Sequence, residues 1–154
     1  MNPVVTAGES VGTARSNLFV QDAPVTGIRR LIGVALGVNL NQTNTDIAIP
    51  LILIAGCNFV PSAVMINNAS TSLTTATFGV FSAAGGTGVT IVTAGAALSS
   101  LTAATSNLNA TLAATATTTV LNQTTQANTL YFRVGTAQGP AATADVYIWA
   151  DVLP

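Results

Sequence analysis

The chain gives chemistry few side chains to work with. Its charged residues are Glu9, Asp22, Asp46, Asp145 and Asp151 against Arg15, Arg29, Arg30 and Arg133, with Cys57 the lone thiol and neither His nor Lys present. Without imidazole there is no Ser-His-Asp arrangement and no His ligand for a metal. Without Lys there is no Schiff base and no phosphate-loop lysine. Asp145 and Asp151 fall on one face of an alternating segment, about 20 Å apart along a strand. A glycosidase carboxylate pair needs about 5–10 Å. No D-x-D-x-D-G run gathers oxygens for calcium. Cys57 lies within Ile54-Ala55-Gly56-Cys57-Asn58-Phe59, with no base or cation beside it, which is the setting of a small buried hydrophobe rather than a reactive thiol. These residues predict a protein that is not an enzyme and holds neither metal nor cofactor.

Composition narrows the partners. Charged residues make up 6% of the chain, against about 25% in an ordinary soluble domain. Hydrophobic residues reach 49%, much of that Ala, and the balance is Thr, Ser, Asn and Gly. Four arginines cannot make the basic footprint that phosphate backbones require, so no nucleic-acid partner is expected. A surface of hydroxyls and amides is cheaper to desolvate than a charged one when a neighbour covers it. That surface suits a chain built into an assembly. Ile47 to Ile66 is uncharged and long enough to suggest a membrane span. Pro50, Asn58, Pro61 and Ser62 interrupt it, so no membrane is expected. Met1-Asn2-Pro3 opens without a basic segment and apolar run, which leaves secretion by a leader unsupported.

These residues need elements to position them, and the pattern predicts strands. Residues 1–27 show no sustained period and read as an extended arm, with one strand-like piece at Ser16-Asn17-Leu18-Phe19-Val20-Gln21 before Asp22-Ala23-Pro24. From Ile28 to Pro154 strand signals recur, and this stretch reads as one sandwich domain. Ile28–Leu40 opens on Arg29-Arg30 and alternates loosely through Leu31, Val34, Leu36 and Val38. Ile47–Ile54 is β-rich, with Pro50 fitting only an edge or bulge. Gly56-Cys57-Asn58 reads as a turn, and strands follow at 62–69, 73–81 and 89–93. Ala83–Gly88 is glycine-rich, but strands on both sides make it a hairpin loop rather than a phosphate cradle. Residues 94–116 are ambiguous, because Leu98, Leu101, Leu108 and Leu112 fit a helical face while Leu108-Asn109-Ala110-Thr111-Leu112 alternates. The reading is a helical turn or loop near 96–104, a strand at 107–113, and a strand or edge at 117–121.

The C-terminal pair is the clearest. Thr129–Gly135 is a strand, and Ala144–Val152 alternates strictly. Val146, Ile148, Ala150 and Val152 share one face, and Asp145, Tyr147, Trp149 and Asp151 the other. One face is core and the other carries aromatics that suit an interface. Many short strands without a long helix give an all-β antiparallel sandwich, with the jelly roll as its nearest familiar plan. The candidate interface residues are Phe19 on the arm, the Arg29-Arg30 cluster, and Tyr147 with Trp149.

The runs Val38-Asn39-Leu40-Asn41, Asp46-Ile47-Ala48-Ile49-Pro50 and Ile66-Asn67-Asn68-Ala69-Ser70-Thr71-Ser72-Leu73-Thr74-Thr75-Ala76 with Gly79-Val80-Phe81 resemble small structural proteins of tailed bacteriophages. So do Leu130-Tyr131-Phe132-Arg133-Val134-Gly135-Thr136-Ala137-Gln138-Gly139 and Ala142-Thr143-Ala144-Asp145-Val146-Tyr147. The likeness covers residues 34–152 and leaves out the arm. It implies a virion component made in the host cytoplasm, such as a decoration or cement protein on the capsid surface. Its partners would be the major capsid protein and neighbouring copies of the chain, as a homotrimer. The rival expectation is a carbohydrate- or receptor-binding module on a tail or fibre, using Tyr147 and Trp149.

Overall fold

A computed structural model describes residues 28–53, 56–123 and 128–153. The arm with its Glu9, Arg15, Phe19 and Asp22 lies outside the described residues. The strands are β1 (Ile28–Asn39), β2 (Thr45–Pro50), β3 (Asn58–Asn67), β4 (Thr77–Ala83), β5 (Thr87–Ala97), β6 (Asn107–Asn109), β7 (Leu121–Asn122), β8 (Thr129–Thr136) and β9 (Thr143–Leu153). One short helix, α1 (Ala114–Thr118), precedes β7. One sheet has the order β1-β9-β3-β6, with β7 also on β3, and the other has β2-β8-β4-β5. All ladders are antiparallel. The chain is an all-β sandwich, as its alternation predicts.

The pairings are nested. β4 pairs β5, β3 pairs β6, β2 pairs β8 and β1 pairs β9. The arrangement is that of one long hairpin folded up so that successive pairs alternate between sheets. Its turn is the Ala83–Gly88 segment, where the structure places a hairpin between β4 and β5. Alternation then fills the space between the sheets. Ile32, Ile49, Phe59, Val64, Ile66, Phe78, Val80, Leu130, Phe132, Val146, Ile148 and Ala150 are all fully buried. Phe78 and Phe132 stack at the centre, with ring centroids 5.0 Å apart.

β1 departs from its expected face. Leu31 is opposite Trp149 and Gly33 opposite Ile148, so Ile32 is an inserted residue, and a second shift falls between Ala35 and Val38. These bulges change the phase of the strand. Ile32 and Val38 point into the core while Leu36 is 68% exposed. Leu31, Val34, Leu36 and Val38 therefore form no common face.

The ambiguous stretch resolves in part as the sequence reading expects, with turns and loop from Leu98 to Ser106. β5 runs on to Ala97, Leu98 and Leu101 enter the core from a loop, and the only helix among the described residues is α1 at 114–118. Leu98 donates its N–H to the Ala76 carbonyl at 3.0 Å and Leu73 donates to Leu101 at 2.9 Å. The leucine spacing thus reflects loop anchoring rather than a helical stripe. Helix α1 forms where Ala116 is small enough to be fully buried, and Thr117 and Thr118 hydroxyls return hydrogen bonds to the Ala114 carbonyl. The predicted strand at 107–113 is paired only at 107–109, and the one at 117–121 shrinks to Leu121–Asn122.

One buried amide ties the far end together. The Gln138 side chain accepts the N–H groups of Thr75 and Ala76 at 3.2 and 3.1 Å and donates to the Ser72 carbonyl at 3.2 Å. Its backbone N–H donates to the Leu40 carbonyl at 2.9 Å. Gln138 is 8% exposed, so alanine would leave the buried Ala76 N–H without its acceptor. Gln138→Ala is expected to lower stability by about 1–3 kcal/mol, read as a shift of the urea midpoint at unchanged slope.

Candidate interface on the outer face of β9

β9 lies between β1 and β3, so its outward side chains sit in the middle of a sheet face rather than at its rim. Tyr147 is opposite Val34 and Met65, and Trp149 is opposite Leu31 and Ala63. Directly opposed residues share a face, so these six make one apolar patch. The two rings stack at 6.0 Å between centroids with 30° between planes. Both aromatics are half-buried, and Leu31 remains 38% exposed. The expected split holds in detail: Val146, Ile148 and Ala150 are buried and Val152 packs against the core, while Asp145, Tyr147, Trp149 and Asp151 face out.

A carboxylate bounds each end of the patch. Asp151 meets the Arg29 guanidinium at 3.7 Å, both well exposed. Asp145 accepts the Gly37 N–H at 2.7 Å and the Asn68 Nδ2 at 2.9 Å. It therefore pins the second β1 bulge to the end of β3. The two acids hold opposite ends of β9 and do separate structural tasks.

The Arg29-Arg30 cluster does not act as a unit. Arg29 is opposite Asp151 on the outer face, whereas Arg30 is opposite the buried Ala150, on the inward side of β1. There it lines a shallow pocket with Ile52, Leu53, Cys57 and Val152. Cys57 is half-buried in that pocket. Phe19 lies outside the described residues.

The other sheet carries a charge pair that sequence reading did not single out. Asp46 on β2 is directly opposite Arg133 on β8, and the guanidinium donates to Asp46 Oδ1 at 2.8 Å. Asp46 Oδ2 accepts the Gly85 N–H at 2.6 Å, which ties the β4–β5 hairpin to the sheet. The pair is separated by 87 positions in the chain, and only strand register brings it together. Phe81 lies beneath, 4% exposed and outside the main core. Its ring crosses β4 at Gly79, where a β-carbon would come within 2.8 Å of it. No residue other than glycine leaves the ring that room.

Among the described residues no three His, Cys, Asp or Glu side chains gather around a common point. No helix there is long and apolar enough to cross a membrane. Compared with protein-family models, curated proteins and solved structures, the chain finds no match.

Burial alone would raise the Asp46 carboxyl, but the Gly85 N–H and the Arg133 guanidinium outweigh it and hold the group below 3.8, its ordinary value. A carboxyl depressed by folding stabilises the fold above its unfolded value and loses that contribution as pH falls through the folded one. Asp46→Asn is therefore expected to cost about 1–2 kcal/mol at neutral pH. The variant and the parent should converge in acid well below 3.8. Urea midpoints measured across that range check the sign.

Proposed function

We propose that the chain is a structural subunit of a virus particle, a decoration or cement protein on the capsid of a tailed phage. The observation that carries this reading is the Leu31, Val34, Met65, Tyr147 and Trp149 face, turned outward on a chain with 6% charge. Aromatic anchors at the centre of a patch are the residues that dominate protein–protein contacts. The strand order supports the reading. With the two-residue β7 set aside, the nested pairs and the orders β1-β9-β3-β6 and β2-β8-β4-β5 suit a jelly-roll plan, which is common to viral capsid and lectin domains. The phage setting is part of the proposal and comes from the resemblance that the sequence of residues 34–152 suggests.

In this reading the protein does no catalysis. It is made in the host cytoplasm, associates with copies of itself as a trimer, and binds the major capsid protein. The work is mechanical: area buried across subunit boundaries, of order 1,600 Å² for a specific contact, opposes separation of the capsomers. Nucleic acid and membrane take no part.

The ring pair also favours a second reading. Two aromatic rings side by side on an outer sheet face suit a sugar-binding module on a tail or fibre.

Co-sedimentation with purified shells separates the two. The decoration reading expects saturable binding at a copy number set by capsomers, and Trp149→Ala should weaken it by about 2 kcal/mol, near thirtyfold, with the melting temperature little changed. Full-strength binding by that variant overturns the assignment of this face. Absence of shell binding, together with glycan-dependent changes in Trp149 emission, decides for the second reading.

A further inference from the structure

The described residues leave one end of the sandwich open, where β1 begins. Arg30 is on the inward side of β1 yet remains exposed. It lines a pocket of about 290 Å³ with Ile52, Leu53, Cys57 and Val152. Ile52 is 67% exposed, and Ile28, opposite Val152, is 53% exposed. The Ile52 N–H donates to the Ile32 carbonyl at 2.7 Å, so the segment after β2 is fixed against β1. Apolar side chains thus gather, uncovered, around a single guanidinium. A contiguous exposed surface of this kind marks a contact.

Charge narrows what covers it. Three of the five acidic side chains are engaged: Asp46 by Arg133 and Gly85, Asp145 by Gly37 and Asn68, Asp151 by Arg29. Among the described residues no carboxylate pairs with Arg30. The other two acids are Glu9 and Asp22, both in the arm that enters β1 at Ile28. Asp22 is the nearer. The chain from Asp22 to Ile28 reaches about 20–22 Å when extended, while Arg30 is only about 7 Å along β1 from Ile28. The chain need only turn back, and the intervening stretch contains Pro24 and Gly27, residues that turns favour. In an extended segment alternate residues share a side, so Leu18 and Val20 accompany Asp22. Two apolar side chains and one acid match a pocket of apolar side chains and one guanidinium.

We propose that residues 18–22 of the chain's own arm fold back over this end of the sandwich, with Asp22 on Arg30 and Val20 against Ile52 and Leu53. The tether selects the chain's own segment. A short linker holds its end at an effective concentration of order millimolar, which a neighbour's arm matches only at millimolar protein. The contact closes the open end whether or not the chain belongs to a particle, so it stands independently of the capsid reading.

Disulfide equilibria in the full chain test this. Ile52→Cys, at an exposed position, is combined with Val20→Cys or with Gln21→Cys in a Cys57→Ser background. Each pair is equilibrated with glutathione at low protein concentration. A docked segment presents residue 20 and turns residue 21 away. The effective concentration of the Val20→Cys pair is therefore expected to exceed that of the Gln21→Cys pair about tenfold or more. Asp22→Arg should reduce the first value to the second, and adding Arg30→Asp should restore it. The melting temperature reports that the sandwich folds in each variant. Equal values at the two positions, or no disulfide at either, would overturn the docking. A preference for position 20 that survives Asp22→Arg would overturn the pairing with Arg30. Disulfides that link two copies would give the pocket to a neighbour's arm and overturn the own-chain assignment.

Discussion

Strand β9 is the ruler against which the structure is built. It lies between β1 and β3, and every register shift along those ladders, at Ile32, within Ala35–Val38 and at Ser62, inserts a residue into a partner and never into β9. Its strict alternation therefore survives from Asp145 to Val152. A slip of one residue would carry Tyr147 and Trp149 inward and bring Ile148 and Ala150 out. Since Val146, Ile148 and Ala150 are fully buried, the core fixes the register, and the register fixes the aromatic face. Fold and candidate interface thus follow from the same alternation.

The shortage of charge has a structural counterpart. Described ion pairs are limited to Arg29 with Asp151 and Arg133 with Asp46. The first is exposed and contributes little to stability. The second is mostly covered and anchors the β4–β5 hairpin through Gly85. Elsewhere neutral groups make the long-range polar contacts, as Gln138 does with Ser72, Thr75 and Ala76. Such a surface presents few fixed charges for a neighbour to desolvate. The sparse charge and the outward aromatics both suit a molecule with faces covered by other protein.

Local period made much of this legible in the sequence. The last two strands, the faces of β9 and the sandwich class can be read from alternation because each strand there is regular over its length, and the glycines of Ala83–Gly88 mark the hairpin. β1 cannot, because two bulges change its phase and the cause lies in β9, more than a hundred positions away. Residues 94–116 stay ambiguous in the sequence for a different reason: leucines that anchor loops to a core share a spacing with leucines on a helix. Arg29 and Arg30, adjacent in sequence, separate because neighbouring strand residues face opposite ways. Asp46 and Arg133 show the converse, since no local signal marks a pair that strand register alone brings together.

The proposed role requires the outer face of β9 to be hidden by other protein. Hydroxyl-radical footprinting, resolved by residue in a mass spectrometer, measures this on the free chain and on the chain in the proposed particle. The account predicts that Met65, Tyr147 and Trp149 are oxidised readily in the free chain and protected several-fold in the particle. Exposed positions away from the patch, such as Val120 at 46% exposure, provide the internal comparison. Equal oxidation of Tyr147 and Trp149 in both states would mean that solvent still reaches the face, and the claim would be contradicted.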